Sequence, residues 1–241
     1  MFIGVEGIIR FLVKIAKKNP KFLKAGSYLL DSLRIVEEAF PSSRSIEYAF
    51  ILRKICSMQK GKVLDVGCAD IGNCLPAILA SLGWEVWGID INEFKFRHKN
   101  FHFLKQDIRE ATFPDGFFDC IYAVSTMEHI GLKGRYDVAE EDLDGDLRAV
   151  ENILRIIKPD GLLLVTIPCG KSFVILRPFQ RVYDKARLSK LFSKWIFEEQ
   201  IYYRRDDNGY WLPISEQVAF NLDPQKGDIA IALLELSPSI T

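Results

Sequence analysis

Short apolar runs alternate with helical stretches through the middle of the chain. The runs, in chain order, read KVLDVG, WEVWGIDI, FHFLKQD, FDCIYAVS and LLLVTIP. Between them, NCLPAILASLG and EDLDGDLRAVENILRIIK repeat their apolar residues at helical spacing. Near-continuous apolar strands separated by helices are typical of a parallel sheet that is covered on both faces. The pattern therefore predicts an α/β fold with right-handed crossover connections.

The carboxyl-terminal part of the chain has a different pattern. WIFEEQIYYRRD and DIAIALLELS are strand-like, and the polar segment between them contains the turn sequences DDNG and DPQKG. This arrangement indicates an antiparallel closing hairpin rather than another crossover. The resulting prediction is one domain over residues 45–241, with a mostly parallel sheet of seven strands.

Residues 1–44 are predicted to form a helical amino-terminal extension. Apolar residues such as Phe2, Val5 and Leu12 recur at helical spacing, and lysines gather on the other side. The favoured interpretation is a lid that packs over the domain, because most amphipathic helices cover a core. The alternative is a peripheral contact with an anionic membrane surface.

Composition narrows the class of protein. Of the 241 residues, 49% are hydrophobic and 27% are charged, and the formal net charge is zero. This balance is that of a soluble globular protein, and it argues against nucleic acid as the main partner. The five cysteines form no C-x-x-C pair, so we expect buried thiols in a reducing, cytoplasmic setting and no structural metal. The oligomeric state is not indicated.

The segment LDVGCADIG follows the first predicted strand and nearly matches a dinucleotide-binding glycine pattern. Small residues at Gly67 and Ala69 let the backbone approach a ligand closely. Asp65 argues against a pyrophosphate, which a carboxylate would repel, and favours a ligand with an ammonium group. S-Adenosylmethionine has such a group, whereas a nicotinamide cofactor does not. A strand-ending aspartate that only caps the loop is the plain structural alternative.

Acidic residues also follow the next two predicted strands. Asp90 is placed where a carboxylate binds the two ribose hydroxyls of a nucleoside. Asp107 can accept a hydrogen bond from an adenine amino group, and Ile108 can cover the ring face. Taken singly, Asp90 and Asp107 are each compatible with an ordinary loop aspartate, but together with Asp65 they end three successive strands. The series predicts a nucleoside site at the carboxyl edge of the sheet.

The ordered motifs resemble those of class I S-adenosylmethionine-dependent methyltransferases, of the type 11-like group. VLDVGCADIG is similar to motif I, VWGIDI to motif II and LKQDI to motif III, while FDCIYAVSTMEHIG and ENILRIIKPDGLLLVTIP match the later segments. The chain departs from the pattern at Ala69, at Asp70-Ile71 and at Asp160. The resemblance implies a Rossmann-like fold and S-adenosylmethionine as cofactor. It implies cofactor contacts from Asp65, Gly67, Cys68, Ala69, Asp90, Ile91, Asp107, Ile108 and Ser125.

His129 and Glu128 are the candidate catalytic residues, because they follow the fourth strand and an imidazole titrates near neutral pH. His129 is the candidate general base, with a structural histidine as the alternative. We expect methyl transfer, without a metal ion, to an oxygen atom of a small-molecule or glycan-type acceptor. The minor metal alternative uses Asp142, Asp144 and Asp146. The acceptor pocket is expected to draw on side chains of two later stretches, namely Arg177, Arg181, Tyr183, Arg204 and Arg205.

Two other functions remain open from the sequence. One is a nicotinamide-dependent oxidoreductase, against which Asp65 and the later motifs argue. The other is a non-catalytic protein that keeps the fold as a scaffold, which the altered motif I loop favours. Fold alone does not decide among them.

Overall fold

The computed structural model describes residues 42–70, 72–134, 136, 138, 140–177 and 180–239. The helices are α1 (Arg44–Ser57), α2 (Leu75–Ser81), α3 (Gly145–Ile156), α4 (Lys185–Leu191) and α5 (Glu216–Ala219). The strands are β1 (Lys62–Val66), β2 (Glu85–Asp90), β3 (Phe101–Lys105), β4 (Phe118–Val124), β5 (Ile157–Cys169), β6 (Val174–Leu176), β7 (Gln180–Val182), β8 (Trp195–Arg205), β9 (Trp211–Ile214) and β10 (Ala230–Pro238).

The predicted parallel sheet is confirmed. Its strand order is β3-β2-β1-β4-β5-β10-β8-β9, and the first five of these strands are parallel. The chain runs outward from β1 through β2 to β3, then returns to the other side of β1 for β4. The order therefore reverses between β1 and β4, and such a switch point opens a crevice at the carboxyl ends of the strands.

The predicted antiparallel pairing of the carboxyl-terminal strands is confirmed, but the predicted number of strands in the sheet is wrong. Within the described residues the main sheet has eight strands rather than seven. The two predicted strands, β8 and β10, do pair antiparallel, but β10 inserts between β5 and β8. The extra strand is β9, which lies between them in sequence and pairs with the outer side of β8. Pro213 argues against a strand when the sequence is considered alone, but a proline is tolerated in an edge strand such as β9.

Two apolar layers sit on opposite faces of the sheet. Successive side chains of a strand point to opposite faces, so Val63 joins one layer and Leu64 the other. The first layer lies under α1 and α2, where Ile51 and Leu79 are fully buried. The second lies under α3, which buries Ile153 and its helical neighbours. The helices thus cover both faces, as the continuous apolar strands predicted.

Two further expectations have definite outcomes. Cys68, Cys120 and Cys169 are buried as predicted, but Cys56 and Cys74 are exposed, since they lie at the end of α1 and just before α2. The predicted extension and its lid or membrane role fall almost wholly outside the described residues. None of the helices in the described part of the chain is long and apolar enough to cross a membrane.

Candidate functional site

The three strand-ending aspartates lie at one edge of the sheet. β1 pairs in parallel with β2, and β2 pairs in parallel with β3. Asp65 lies at the end of β1, Asp90 is the last residue of β2, and Asp107 follows β3. The topology therefore brings together the residues that the sequence predicted to share a site.

The loop after β1 is held close to the end of β4. Gly67 adopts a φ of +83°, and a Cβ atom there would lie 2.5 Å from the Oγ1 atom of Thr126. Only glycine combines this backbone conformation with so close an approach. The buried side chain of Cys68 points into the core, and the amide of Ala69 donates to Asp90 Oδ2 at 2.9 Å. The loop is thus a fixed turn that carries backbone groups to the switch point.

Asp65 is buried, with 2% of its surface exposed. Burial raises the pKa of its carboxyl to about 7, against the opposing effect of a hydrogen bond from Asn73. The Asn73 amide donates to Asp65 Oδ2 at 2.9 Å and to the carbonyl of Cys68 at 3.2 Å. A cation close to this carboxyl group would favour its charged form and lower its pKa.

Asp90 organises the backbone around its own carboxylate. Besides the Ala69 amide on Oδ2, its Oδ1 accepts from the Asn92 amide at 2.8 Å. Asp90 and the next residue, Ile91, are half-buried at the end of β2. Oδ1 also accepts from the Asn92 side-chain amide at 3.3 Å, whereas Oδ2 keeps a second lone pair. The carboxylate therefore joins the loop after β1 to the loop after β2.

Asp107 already has a strong partner. Its carboxylate accepts from the Arg109 amide at 2.9 Å and from Arg109 Nη2 at 2.7 Å. It caps a short 3₁₀ helix, Ile108–Glu110, whose first side chain packs in the core beneath α3. Arg109 also donates to Asp142 Oδ2 at 2.7 Å. Asp107 thus has the predicted position, within an ion-pair network that the sequence did not reveal.

Ser125 marks the end of β4 by its backbone. Its φ of +44° is unfavourable for a residue other than glycine. Its amide donates to Thr166 Oγ1 at 2.9 Å, and its hydroxyl donates to Glu47 Oε1 at 2.5 Å. Strained residues of this kind persist where surrounding hydrogen bonds impose them, and they concentrate at functional sites.

Glu47 is the residue that sequence analysis missed most clearly. It belongs to α1, is fully buried, and accepts from the hydroxyl of Thr166 at 2.7 Å and from that of Ser125. Arg44, one helical turn earlier, donates to Glu47 Oε2 at 2.8 Å and to Asp70 Oδ2 at 3.2 Å. This cluster attaches α1 to the ends of β4 and β5 and sets a cation above the loop after β1. The available signal was the carboxylate of Glu47 within the run IEYAFIL, whose other residues are apolar or aromatic.

The predicted catalytic pair lies in a 3₁₀ turn, Met127–His129, just after β4. His129 is 6% exposed, and its Nε2 atom lies 3.8 Å from Glu128 Oε1. Its ring contacts that of Tyr136 edge to face, with centroids 5.5 Å apart. This turn lies at the same edge of the sheet as the three strand-ending aspartates. An imidazole beside a carboxylate has the groups needed for proton transfer.

The expected acceptor-pocket side chains have other surroundings. Arg181 and Tyr183 are fully buried, whereas Arg177 pairs with Glu141 at the surface. On the tail strands, Arg204 pairs with Asp228, and Arg205 donates to the carbonyl of Gly209. Sequence analysis assigned Arg181 and Tyr183 to the acceptor pocket because the sequence alone does not show that both side chains are buried in and after β7.

The acidic residues of the minor metal alternative face arginines. Asp142 pairs with Arg109 and Arg148, and the Asp144 and Asp146 carboxylates both pair with Arg187. Across the described ranges, no cluster of three or more His, Cys, Asp or Glu side chains could hold a metal ion.

Comparison with known proteins agrees with this geometry. A family model described as a methyltransferase domain matches residues 34–212. The chain belongs to this methyltransferase family. The family that the sequence motifs resemble is therefore confirmed, and a nicotinamide-dependent oxidoreductase is not supported.

The methyltransferase domain has distant curated relatives. A Bacillus subtilis protein, YqeM, bears the name of a methyltransferase and is 32% identical over 129 residues, which cover 50% of this chain and 47% of that protein. The sterol 24-C-methyltransferase ERG6B of Gibberella zeae is 29% identical over 113 residues, which cover 42% of this chain and 26% of that enzyme. The chain thus spans less than half the length of either relative.

A solved structure shares the fold. It is a Burkholderia thailandensis 1,6-didemethyltoxoflavin-N1-methyltransferase with its substrate and S-adenosylhomocysteine bound. The TM-score is 0.53 at 13% identity, and the match covers 89% of this chain and 90% of that one. At this identity the likeness supports the Rossmann-like methyltransferase fold alone.

Proposed function

We propose that this protein transfers a methyl group from S-adenosylmethionine to a small-molecule acceptor, whose proton is removed by His129 with the help of Glu128. The observation that carries the proposal is the set of three aspartates at the ends of adjacent strands, β1, β2 and β3. They share one edge of the sheet with the candidate base. This is where ligands bind in open parallel sheets.

The methionine end of the cofactor has an ammonium and a carboxylate group, and the site offers a partner for each. Asp65 can pair with the ammonium group, which would favour ionisation of its buried carboxyl. Arg44 lies above the same loop and can pair with the carboxylate in place of Asp70. The close turn at Gly67 packs this loop against Thr126, just after β4. The residues present therefore fit this end of the cofactor.

The nucleoside end fits the other two strands. Asp90 Oδ2 retains a lone pair for one ribose hydroxyl, and the second hydroxyl can replace the long bond, 3.3 Å, that the Asn92 side chain donates to Oδ1. Ile91 lies beside this carboxylate. Asp107 can accept from the adenine amino group, beside Ile108, while Arg109 keeps its bond to Asp142. Ser125 closes the site from β4. Of the predicted cofactor residues, Cys68 and Ala69 have no side-chain role in the proposal and contribute through the backbone of the loop after β1.

Methyl transfer needs alignment, exclusion of water and, for a hydroxyl acceptor, a base. When bound, S-adenosylmethionine supplies an electrophilic methyl group on a positively charged sulfur. The chain's own contribution is to hold the donor at the switch point and to take the acceptor proton on the His129 imidazole. Glu128, 3.8 Å from that imidazole, stabilises the imidazolium that results.

The methylated atom is proposed to be oxygen, as the sequence predicted, and a glycan-type acceptor stays a prediction. The second candidate is carbon, because the Gibberella zeae relative is named as a sterol C-methyltransferase. The test is incubation with methyl-labelled cofactor and a panel of hydroquinones, sterols and simple glycosides. Treatment of the labelled product with hydriodic acid releases the label as iodomethane from a methyl ether but not from a new carbon–carbon bond, and mass spectrometry locates the label. Label in neither form across the panel argues against these acceptor classes.

Replacement of Arg44 tests the proposed carboxylate contact. We expect Arg44→Gln to weaken S-adenosylhomocysteine binding by about 10-fold to 100-fold, since one charge-assisted pair is lost. Binding of 5′-methylthioadenosine, which lacks the amino-acid end, should stay within about twofold of wild type. Calorimetry measures both ligands. The control is Arg53→Gln, on the same helix but paired with Glu199. An equal loss for both ligands would assign Arg44 to folding of α1 instead.

Binding should depend on pH through Asp65. Its pKa is about 7 in the free protein, and pairing with an ammonium group requires the charged form. Affinity for S-adenosylhomocysteine is therefore expected to fall roughly tenfold from about pH 7.5 to about pH 6. Asp65→Asn should bind weakly with no such slope. A slope that survives in the variant would show that another group titrates.

A further inference from the structure

Two segments beside the candidate base pack main chain against main chain. The first, 127–131, carries Glu128 and His129, and the second, 142–145, leads into α3. The amide of Asp142 donates to the carbonyl of Gly131 at 2.8 Å. A Cβ atom on Gly145 would lie 2.8 Å from the carbonyl oxygen of Ile130, so only a glycine fits there. The position of the base thus depends on what holds these two segments together.

The guanidinium group of Arg181 occupies this junction. Its Nη1 atom donates to the carbonyls of Ile130 at 2.8 Å and Glu128 at 3.3 Å. Its Nη2 atom donates to the carbonyls of Leu143 at 3.0 Å and Asp142 at 3.1 Å. One planar group with a fixed fork of donors therefore bonds to both segments and sets their separation.

The positive charge at this junction is buried and needs a matching anion. Arg181 is fully buried, and its Nε atom lies 3.8 Å from Oδ2 of the equally buried Asp146. Asp146 is itself held by Arg187, through Nη2 at 2.6 Å, and by the hydroxyl of Tyr183 at 3.2 Å. A buried ion pair of this kind is costly, and here the four bonds from the Nη atoms to carbonyls offset the cost, while the Nε atom faces Asp146 without a hydrogen bond. The carbonyl bonds therefore fix the guanidinium orientation. Arg181 is consequently directed at main chain rather than at an acceptor.

We propose that Arg181 is a positioning residue that fixes Glu128 and His129 for proton transfer by holding the carbonyls on either side of His129. The inference rests on the proposed function for the role of His129. It assigns to β7, which lies outside the predicted strands of the domain, the task of orienting the base. Arg181 would affect turnover rather than cofactor affinity, because none of its contacts reaches the three strand-ending aspartates.

The test compares Arg181→Lys with Arg187→Lys. A lysine keeps the charge but cannot reach four carbonyls in two segments, whereas Arg187 shares Asp146 and contacts neither Glu128 nor Ile130. Both proteins are saturated with S-adenosylhomocysteine, and the His129 imidazole is titrated by NMR. For Arg181→Lys we expect a changed His129 titration and at least about tenfold faster amide exchange at His129 and Leu132. Arg187→Lys should match wild type at both positions.

Other outcomes are decisive in different ways. A His129 titration and exchange rates like wild type in Arg181→Lys, or equal changes in both variants, overturn the positioning role. If the wild-type protein does not bind S-adenosylhomocysteine, the proposed function is overturned instead. If Arg181→Lys does not fold, the guanidinium protons of wild-type Arg181 decide. Separate, slowly exchanging Nη signals support the role, and free rotation of the group contradicts it.

Discussion

Asp90→Ala is expected to weaken S-adenosylhomocysteine binding by about 100-fold or more. The variant loses the proposed ribose contacts, each a charge-assisted hydrogen bond of roughly 1.5–3 kcal/mol. It also frees the Ala69 amide, which Asp90 Oδ2 now holds at 2.9 Å, so the loop after β1 loses its attachment to β2. Titration calorimetry of the purified variant measures the change, and circular dichroism reports whether the fold is kept.

The matched control for Asp90 is Glu93→Gln, in the same loop. Glu93 is exposed and pairs only at the surface with Lys105, so the change should leave affinity within about twofold of wild type. Unchanged affinity in Asp90→Ala would remove this residue from the site. A comparable loss in both variants would indicate a general charge effect of the loop rather than a ribose contact.

His129→Gln is expected to lower kcat by about 10²-fold to 10⁴-fold, which is the usual contribution of general acid–base catalysis. Glutamine has similar size but cannot take a proton near neutral pH. The affinity for S-adenosylhomocysteine should change little, because His129 lies beyond the strand-ending aspartates and against Tyr136. The measurement is initial-rate kinetics with the acceptor found in the labelling screen, alongside calorimetry.

The control for His129 is His102→Gln on β3. His102 is exposed and its ring contacts that of Trp87 at a tilt of 32°, with centroids 4.5 Å apart, so its loss should leave kcat near the wild-type value. Full activity in His129→Gln would retire this residue as the base. A fall in cofactor affinity as large as the fall in kcat would assign it to binding instead.

The parallel half of the fold could be predicted because each strand has its own local signal. Apolar runs mark β1 to β5, and the acids at their ends follow from strand direction alone, which is why Asp65, Asp90 and Asp107 were found together. The strand β9 has no such signal. It is short, contains Pro213, and becomes a strand only because β8 presents it with an edge.

The buried polar residues of the site could not be predicted for a related reason. Glu47 and Arg181 are charged, and a charged residue is predicted to be exposed to solvent unless its partners are known. Their partners lie far away along the chain, Thr166 for the first and Ile130 for the second. Only the tertiary structure shows that Glu47 bonds to the ends of β4 and β5, and that the Nη atoms of Arg181 bond to main-chain carbonyls after β4.

The central claim is that the carboxyl edge of β1, β2 and β3 binds S-adenosylmethionine. Its most direct test is isothermal titration of the purified protein with S-adenosylhomocysteine, with NAD as the control ligand. The account predicts binding in the micromolar range for the first and no detectable binding for the second. No binding of either ligand would contradict it, and would instead favour a scaffold protein whose altered loop at Ala69 and Asp70 has lost the cofactor.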